Sequence, residues 1–302
     1  MIKFNTRHIL VTLLFFCVAQ TAQAATNPAK KEHGSPADGQ VVTSGEITEN
    51  QVAIVGSINY PLVAYIARGA KKYPHIQRLV IDSDGGVSEA AVQLAQVVRE
   101  HGWDIVVKNK CFSACANFIF PAGKRKTVLP NSWVGIHDTG RLFRRADGSL
   151  HFITGNEIPG FMASGNVTSE SADLMRKKES AANAFYASLG LSAAPLQDYA
   201  NYISARKHVL GEEDVDHFPG VPGCPRYMAW ALNKKQLEEM GVTGIVDFWF
   251  PANAEEERAF YKDKLFPSGS IYIGDAKKLR TFCKRPALSW FDRIWLKRES
   301  SQ

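Results

Sequence analysis

Three short segments carry residue types that could do chemistry together: Asp82-Ser83-Asp84-Gly85-Gly86, then Cys111-Phe112-Ser113-Ala114-Cys115, then Gly135-Ile136-His137. In that order they offer backbone donors, a nucleophile and a base. Gly85 and Gly86 follow the apolar run Leu79-Val80-Ile81. Without a Cβ they allow a tight turn whose N–H groups can point at a ligand, so an oxyanion could sit there. Ser113 precedes the small and apolar run Ala114 to Phe120, which places it at an expected helix start, where unpaired N–H groups favour developing negative charge. A serine hydroxyl is a poor nucleophile at neutral pH without a base in hydrogen-bond reach. His137, which ends the run Trp133-Val134-Gly135-Ile136, is the nearest downstream candidate.

The elements that must position these residues read as alternating strands and helices. Val52 to Gly56, Arg78 to Asp82, Asp104 to Val107 and Trp133 to Ile136 read as strands. Between them, Pro61 to Lys72 and Val87 to His101 carry apolar residues at helical spacing, and Ser113 to Phe120 reads as a further helix. Such alternation implies βαβ crossovers and an α/β fold with a mostly parallel sheet. Ligands in such sheets bind where strands end and helices begin, and both the Gly85-Gly86 turn and Ser113 fall at such points. Residues 139 to 166 read as a polar excursion, with Asp147-Gly148 turning between two short strands. Helices are expected at Ser169 to Leu189, with Ser169 as cap and Gly190 as stop, at Pro195 to Ala205, at Asn233 to Met240 and at Ala254 to Lys264.

The chain begins with Lys3 and Arg7, an apolar run from Ile9 to Val18 and Ala22-Gln23-Ala24, the pattern of a secretory signal peptide ending at residue 24. The apolar run is short for a bilayer span. Residues 25 to 45 are polar and aperiodic and read as a flexible linker. The α/β domain is expected over 46 to 250, and residues 251 to 302 form a basic and aromatic extension. Its amphipathic end, Leu288 to Arg298, could touch a membrane, though packing on its own domain is the favoured reading. Without residues 1 to 24 the formal charge falls from +6 to +4. The charges are scattered, and the cluster Lys124-Arg125-Lys126 reads as a solvated turn, so nothing points to nucleic acid. Cys111, Cys115, Cys224 and Cys283 remain, an even count that suggests disulfides in an oxidising compartment outside the cytosol, with the pairing open.

Taken in order, the Gly-Gly turn of Ile81 to Gly86, the helix from Val87, Cys111 to Cys115, Ala122-Gly123, Gly135-Ile136-His137 and Leu232 to Val242 resemble the Clp-protease and crotonase fold, and more closely its exported bacterial ClpP-like branch. The similarity spans roughly residues 46 to 248. It implies repeated βαβ units and a serine peptidase site in the bacterial periplasm, with Ser113 as nucleophile and His137 as general base. It also implies an oxyanion hole from Gly85 or Gly86 and Ala114, a peptide or protein substrate, and self-association into homo-oligomers. The family's third catalytic residue, an aspartate just before the segment resembling Tyr227 to Leu232, has no counterpart there. Asp214 and Asp216 in the preceding loop are the candidate orienting acids, while Asp138 adjoins the base on the wrong side of its ring. No cofactor is implied.

Each residue also has a plainer use. Ser113 could be only a helix cap, His137 a strand-end histidine bonded to backbone, and Gly85-Gly86 only a tight βα turn. Cys111 and Cys115 favour a disulfide over a metal, because C-x-S-x-C lacks a second ligand pair at zinc spacing. His75, His101, His151, His208 and His217 share no metal-binding spacing. The leading function is therefore a serine hydrolase acting on peptides. Its alternatives are a catalytically silent ClpP-like protein that binds peptides or an exported partner, and a thiol redox protein using Cys111 and Cys115.

Overall fold

The computed structural model describes residues 44–48, 50–137, 141–145, 148, 150–153, 157–165, 167–210, 221–262 and 269–284. The chain enters a sheet through β1 (Ser44–Ile47), which turns back antiparallel onto β2 (Gln51–Ile58). Asn59 caps α1 (Tyr60–Lys72) by accepting the Leu62 N–H at 2.9 Å, and Pro61 at the first turn gives up an N–H that had no partner to lose. Then follow β3 (Arg78–Gly86), α2 (Ser88–Glu100) and β4 (Asp104–Phe112). A π-helical turn (Cys115–Ile119) runs into the short α3 (Phe120–Ala122), followed by β5 (Lys126–Val128) and β6 (Trp133–Ile136). The two-stranded β7 (Arg141–Arg144) and β8 (Leu150–Ile153) lie apart from this sheet. After them come α4 (Ile158–Ala163), α5 (Ser169–Leu189), α6 (Ala194–Leu210), β9 (Ala229–Ala231), α7 (Lys234–Glu239), β10 (Ile245–Phe248), α8 (Ala254–Lys262), β11 (Ile271–Tyr272) and α9 (Ala276–Leu279).

Among the described residues the main sheet runs β1-β2-β3-β4-β6-β9-β11, with β5 branching from β4 and β10 pairing with β5. Only the β1–β2 and β6–β9 pairings in it are antiparallel, so the fold is mixed α/β with a mostly parallel sheet, as expected. The core lies between this sheet and α1 and α2. Val52, Ile54, Leu79, Ile81, Ile105 and Val107 alternate inward from β2, β3 and β4 to meet Ile66, Leu94 and Val98, all at 0–1 % exposure. Each such aliphatic side chain contributes about 1.5–3 kcal/mol by leaving water.

Several elements depart from the sequence expectations. Ser44 and Gly45, placed in the linker, belong to β1. The strand expected to stop at Val107 continues to Phe112. Thr168, not Ser169, caps α5 by accepting the Ser171 N–H, while Gly190 ends it in the left-handed conformation. Inside the segment taken as a C-terminal extension, β11 pairs parallel with β9, and Cys283 is disulfide-bonded to Cys224. Residues 1–43, which hold the expected signal peptide and most of the linker, and residues 285–302, which hold the amphipathic tail, lie outside the described residues. No helix among the described residues is long and apolar enough to cross a membrane.

The basic cluster is also not the solvated turn expected. Lys124 and Arg125 are exposed, but Lys126 is 1 % exposed in β5. Its ammonium donates to the carbonyls of Gly123 (2.5 Å) and Thr243 (2.7 Å), which ties β5 to the segment leading into β10. Burial pulls its pKa down to about 8, against an opposing pull from Asp104. Between that value and the ordinary one near 10.5 the unfolded chain binds more protons than the folded one, so stability rises with pH across this window. Urea unfolding of wild type and Lys126→Met at pH 8 and pH 10 checks this. The wild type is expected to gain on the order of 2 kcal/mol relative to the variant. Separately, replacing Cys224 and Cys283 by Ala opens a linkage spanning 59 positions and is expected to cost about 2–4 kcal/mol in the same assay.

Candidate active site

The site is built where β4 changes neighbours. Its first half pairs with β5 (Ile105↔Lys126 to Val107↔Val128) and its second half with β6 (Lys110↔Trp133 to Phe112↔Gly135). The change falls at Asn109, which sits at φ +77°. Its N–H donates to Ser132 Oγ at 2.7 Å, and its carboxamide reaches both carboxylate oxygens of Asp82 at 3.1 and 3.2 Å. The next residue, Lys110, pairs with Asp84 at 2.8 Å. With Lys110 nearly buried and Asp84 about one-third exposed, this pair is shielded more than a surface pair, and it fixes the end of β3 against the end of β4.

Ser113 follows β4 directly, at φ +58°. A residue with a side chain is held in this region only when its surroundings over-determine it, at a cost of about 1–3 kcal/mol. Here they do: the Ser113 N–H donates to Gly135 O at 3.0 Å, its carbonyl accepts the Asn117 N–H at 2.9 Å, and the Cys111–Cys115 disulfide spans it with a Cα–Cα distance of 5.2 Å. The smooth helix expected from Ser113 is instead this strained residue followed by a π-helical turn.

The register Phe112↔Gly135 puts His137 just past Ser113's own position along β6. His137 Nε2 lies 2.6 Å from Ser113 Oγ, within hydrogen-bond distance for proton transfer. The imidazole is backed by the Phe112 ring at a centroid distance of 4.8 Å, Phe112 by Trp133 at 5.4 Å, and Trp133 by Phe260 of α8 at 6.0 Å.

Of the expected oxyanion donors, the Gly85 N–H is engaged inside the strand end. It donates to Ser83 Oγ at 3.0 Å, and that fully buried hydroxyl donates to Gly56 O at 2.7 Å. Gly85 serves by its missing side chain instead: a Cβ there would lie 2.6 Å from Ser113 Cβ and 2.9 Å from the Ala114 nitrogen. Gly86 is needed for packing, because a Cβ would lie 2.2 Å from Ile58 O. Ala114 is 2 % exposed and starts the helical turn, where an N–H has no intrahelical acceptor. Asp214, Asp216 and Asp138 lie outside the described residues. The cysteines pair as Cys111–Cys115 and Cys224–Cys283, and both partners of the first pair are 0 % exposed. Among the described residues, no group of His, Cys, Asp and Glu is placed to hold a metal ion.

Sequence reasoning missed Ser83, the Asp82–Asn109 and Asp84–Lys110 ties, and Phe112 behind the imidazole. The signal was present in part: two acids flanking a serine at strand spacing, and an Asn and a Lys in the neighbouring strand.

No protein-family model matches the sequence, and no curated protein matches it. Among solved structures, the chain is similar to a mutant of ClpP1 from Listeria monocytogenes, at 15 % identity, over 69 % of this chain and 94 % of that one, with a TM-score of 0.35. At that TM-score the likeness carries no weight, and the chemistry rests on the chain's own geometry.

Gly85→Ala tests the steric role. It is expected to destabilise the protein by about 1–3 kcal/mol more than Gly148→Ala, because Gly148 shares a similar φ of +87° but has open space around it. Denaturant titration of the two variants reads the difference.

Proposed function

We propose that the chain is an exported serine peptidase or related acyl hydrolase of ClpP-like, crotonase-type fold. The observation that carries this reading is the 2.6 Å contact between Ser113 Oγ and His137 Nε2 at adjacent parallel strand ends. As Oγ attacks the substrate carbonyl carbon, His137 Nε2 takes its proton. The oxyanion then faces the amides of Ala114 and Gly86, beside the space left by Gly85. Collapse breaks the C–N bond, with the proton passing from His137 to the leaving amine, and water releases the acyl group by the same route in reverse. An extended peptide would lie along the Gly85-Gly86 edge with Val87 at its border. Asp214 or Asp216 would orient the imidazole, and self-association would follow the habit of the fold.

Export is supported by the leader-like residues 1 to 24 and by two disulfides, which fit an oxidising compartment. The thiol redox alternative lacks support, since Cys111 and Cys115 are buried and bonded and offer no exposed thiolate. A silent peptide-binding protein remains the competing outcome of the test.

The test is labelling of the mature protein by a fluorophosphonate. Covalent attachment at Ser113 is expected, with none in Ser113→Ala and a rate lower by about 10³-fold or more in His137→Ala. A folded wild-type protein that takes no label would overturn the hydrolase and leave the silent binder.

A further inference from the structure

A cavity of about 460 Å³ opens between α8, β11 and α9, and none of the residues discussed at Ser113 lines it. Its walls include Tyr227, Tyr261 and Tyr272, with Glu257 and Lys278 as its charged groups. The tyrosine walls are fixed. Tyr261 donates its hydroxyl to Ile271 O and Tyr272 donates to Asp275 O, each at 2.7 Å. The Tyr227 ring packs against Tyr272 at a centroid distance of 4.9 Å, tilted by 46°, and the Tyr227 backbone N–H donates to Tyr202 Oη at 2.9 Å. The phenol protons of Tyr261 and Tyr272 are thus committed to backbone and do not serve the carboxylate.

Glu257 is half-buried. Among the described residues its carboxylate has neither an ion pair nor a hydrogen bond, and the same holds for the ammonium of Lys278. The two line one cavity without pairing with each other. The Glu257 charge reaches across the space: after burial, it is what pushes up the phenols of Tyr227 and Tyr261, the latter to about 12. A partly desolvated carboxylate among aromatic rings attracts an organic ammonium by charge and by the ring faces together. An unpaired ammonium at the same cavity attracts a carboxylate. The volume suits a small ligand rather than a chain.

We propose that this cavity binds a small zwitterion of amino-acid to dipeptide size, its ammonium held by Glu257 against the tyrosines and its carboxylate turned to Lys278. The proposal does not depend on the chemistry at Ser113 and can be tested on Ser113→Ala protein, which cannot turn a peptide over by that route.

Isothermal titration of the full mature chain with L-phenylalanine, L-phenylalanyl-L-phenylalanine, N-acetyl-L-phenylalanine and L-phenylalaninamide tests it. Free amino acid or dipeptide is expected to bind with Kd below about 1 mM. The acetylated and amidated probes should each bind about tenfold or more weakly, and Glu257→Gln should lose about tenfold for the free zwitterion. Lys278→Met should weaken the free amino acid but leave the amide unchanged. Both side chains reach solvent, and unchanged melting temperatures of the empty variants establish that they fold. No binding by either zwitterion, or equal binding to wild type and Glu257→Gln, would overturn the proposal. If only the dipeptide binds, the site is one for peptide products; if both bind, it accepts free amino acids as well.

Discussion

Ser113 donates its N–H to the carbonyl of Gly135, and most of the site follows from that bond. It continues the β4–β6 ladder one residue past the last strand pair, so the hydroxyl and the imidazole are brought together by parallel register rather than by side-chain reach. A slip of one residue would turn His137 to the opposite face of the sheet. The ladder is in turn possible only because β4 leaves β5 after Val107 and takes up β6 from Lys110. Asn109, in its left-handed conformation, makes that change of partner.

Around this register the polar groups divide into those that build and those left to act. Asp82, Asp84, Asn109, Lys110 and Ser83 lie close to Ser113 along the strands, and all of them hold strand ends in place. Ser83 shows the logic most plainly: a wholly buried hydroxyl joins Gly56 O to the Gly85 N–H, satisfying groups that would otherwise be costly to bury. Gly85 then contributes shape, since a Cβ there would collide with Ser113 and the Ala114 nitrogen.

The sequence made the βαβ frame legible because burial alternates along β2, β3 and β4 and recurs at helical spacing along α1 and α2. Ser113 and His137 could be paired because one opens an apolar run and the other closes the next one downstream. What could not be read depends on partners distant along the chain. Lys108-Asn109-Lys110 lies past the expected strand end at Val107, yet it is strand, because Asp82, Asp84 and Ser132 receive the polar groups of Asn109 and Lys110. Lys126 reads as surface, yet two carbonyls, one of them 117 positions later, make its burial tolerable. β11 is two residues long and invisible to periodicity; it exists because β9 offers it an edge. Asp214 and Asp216 stay on the sequence side of the ledger, outside the described residues.

The aromatic line from His137 through Phe112 and Trp133 to Phe260 joins the imidazole to a residue more than a hundred positions downstream. Trp133, Phe260, Ala229, Ala231 and Ile271 close around Phe112 as one small apolar cluster. A growing chain that has just passed β6 therefore holds the hydroxyl, the imidazole and the Phe112 ring behind it, but lacks Ala229, Ala231, Phe260 and Ile271, which close around Phe112. The backing of the Ser113–His137 contact is completed late in synthesis, by α8 and the strands beside it, and a truncated product would carry both residues without the full scaffold behind them.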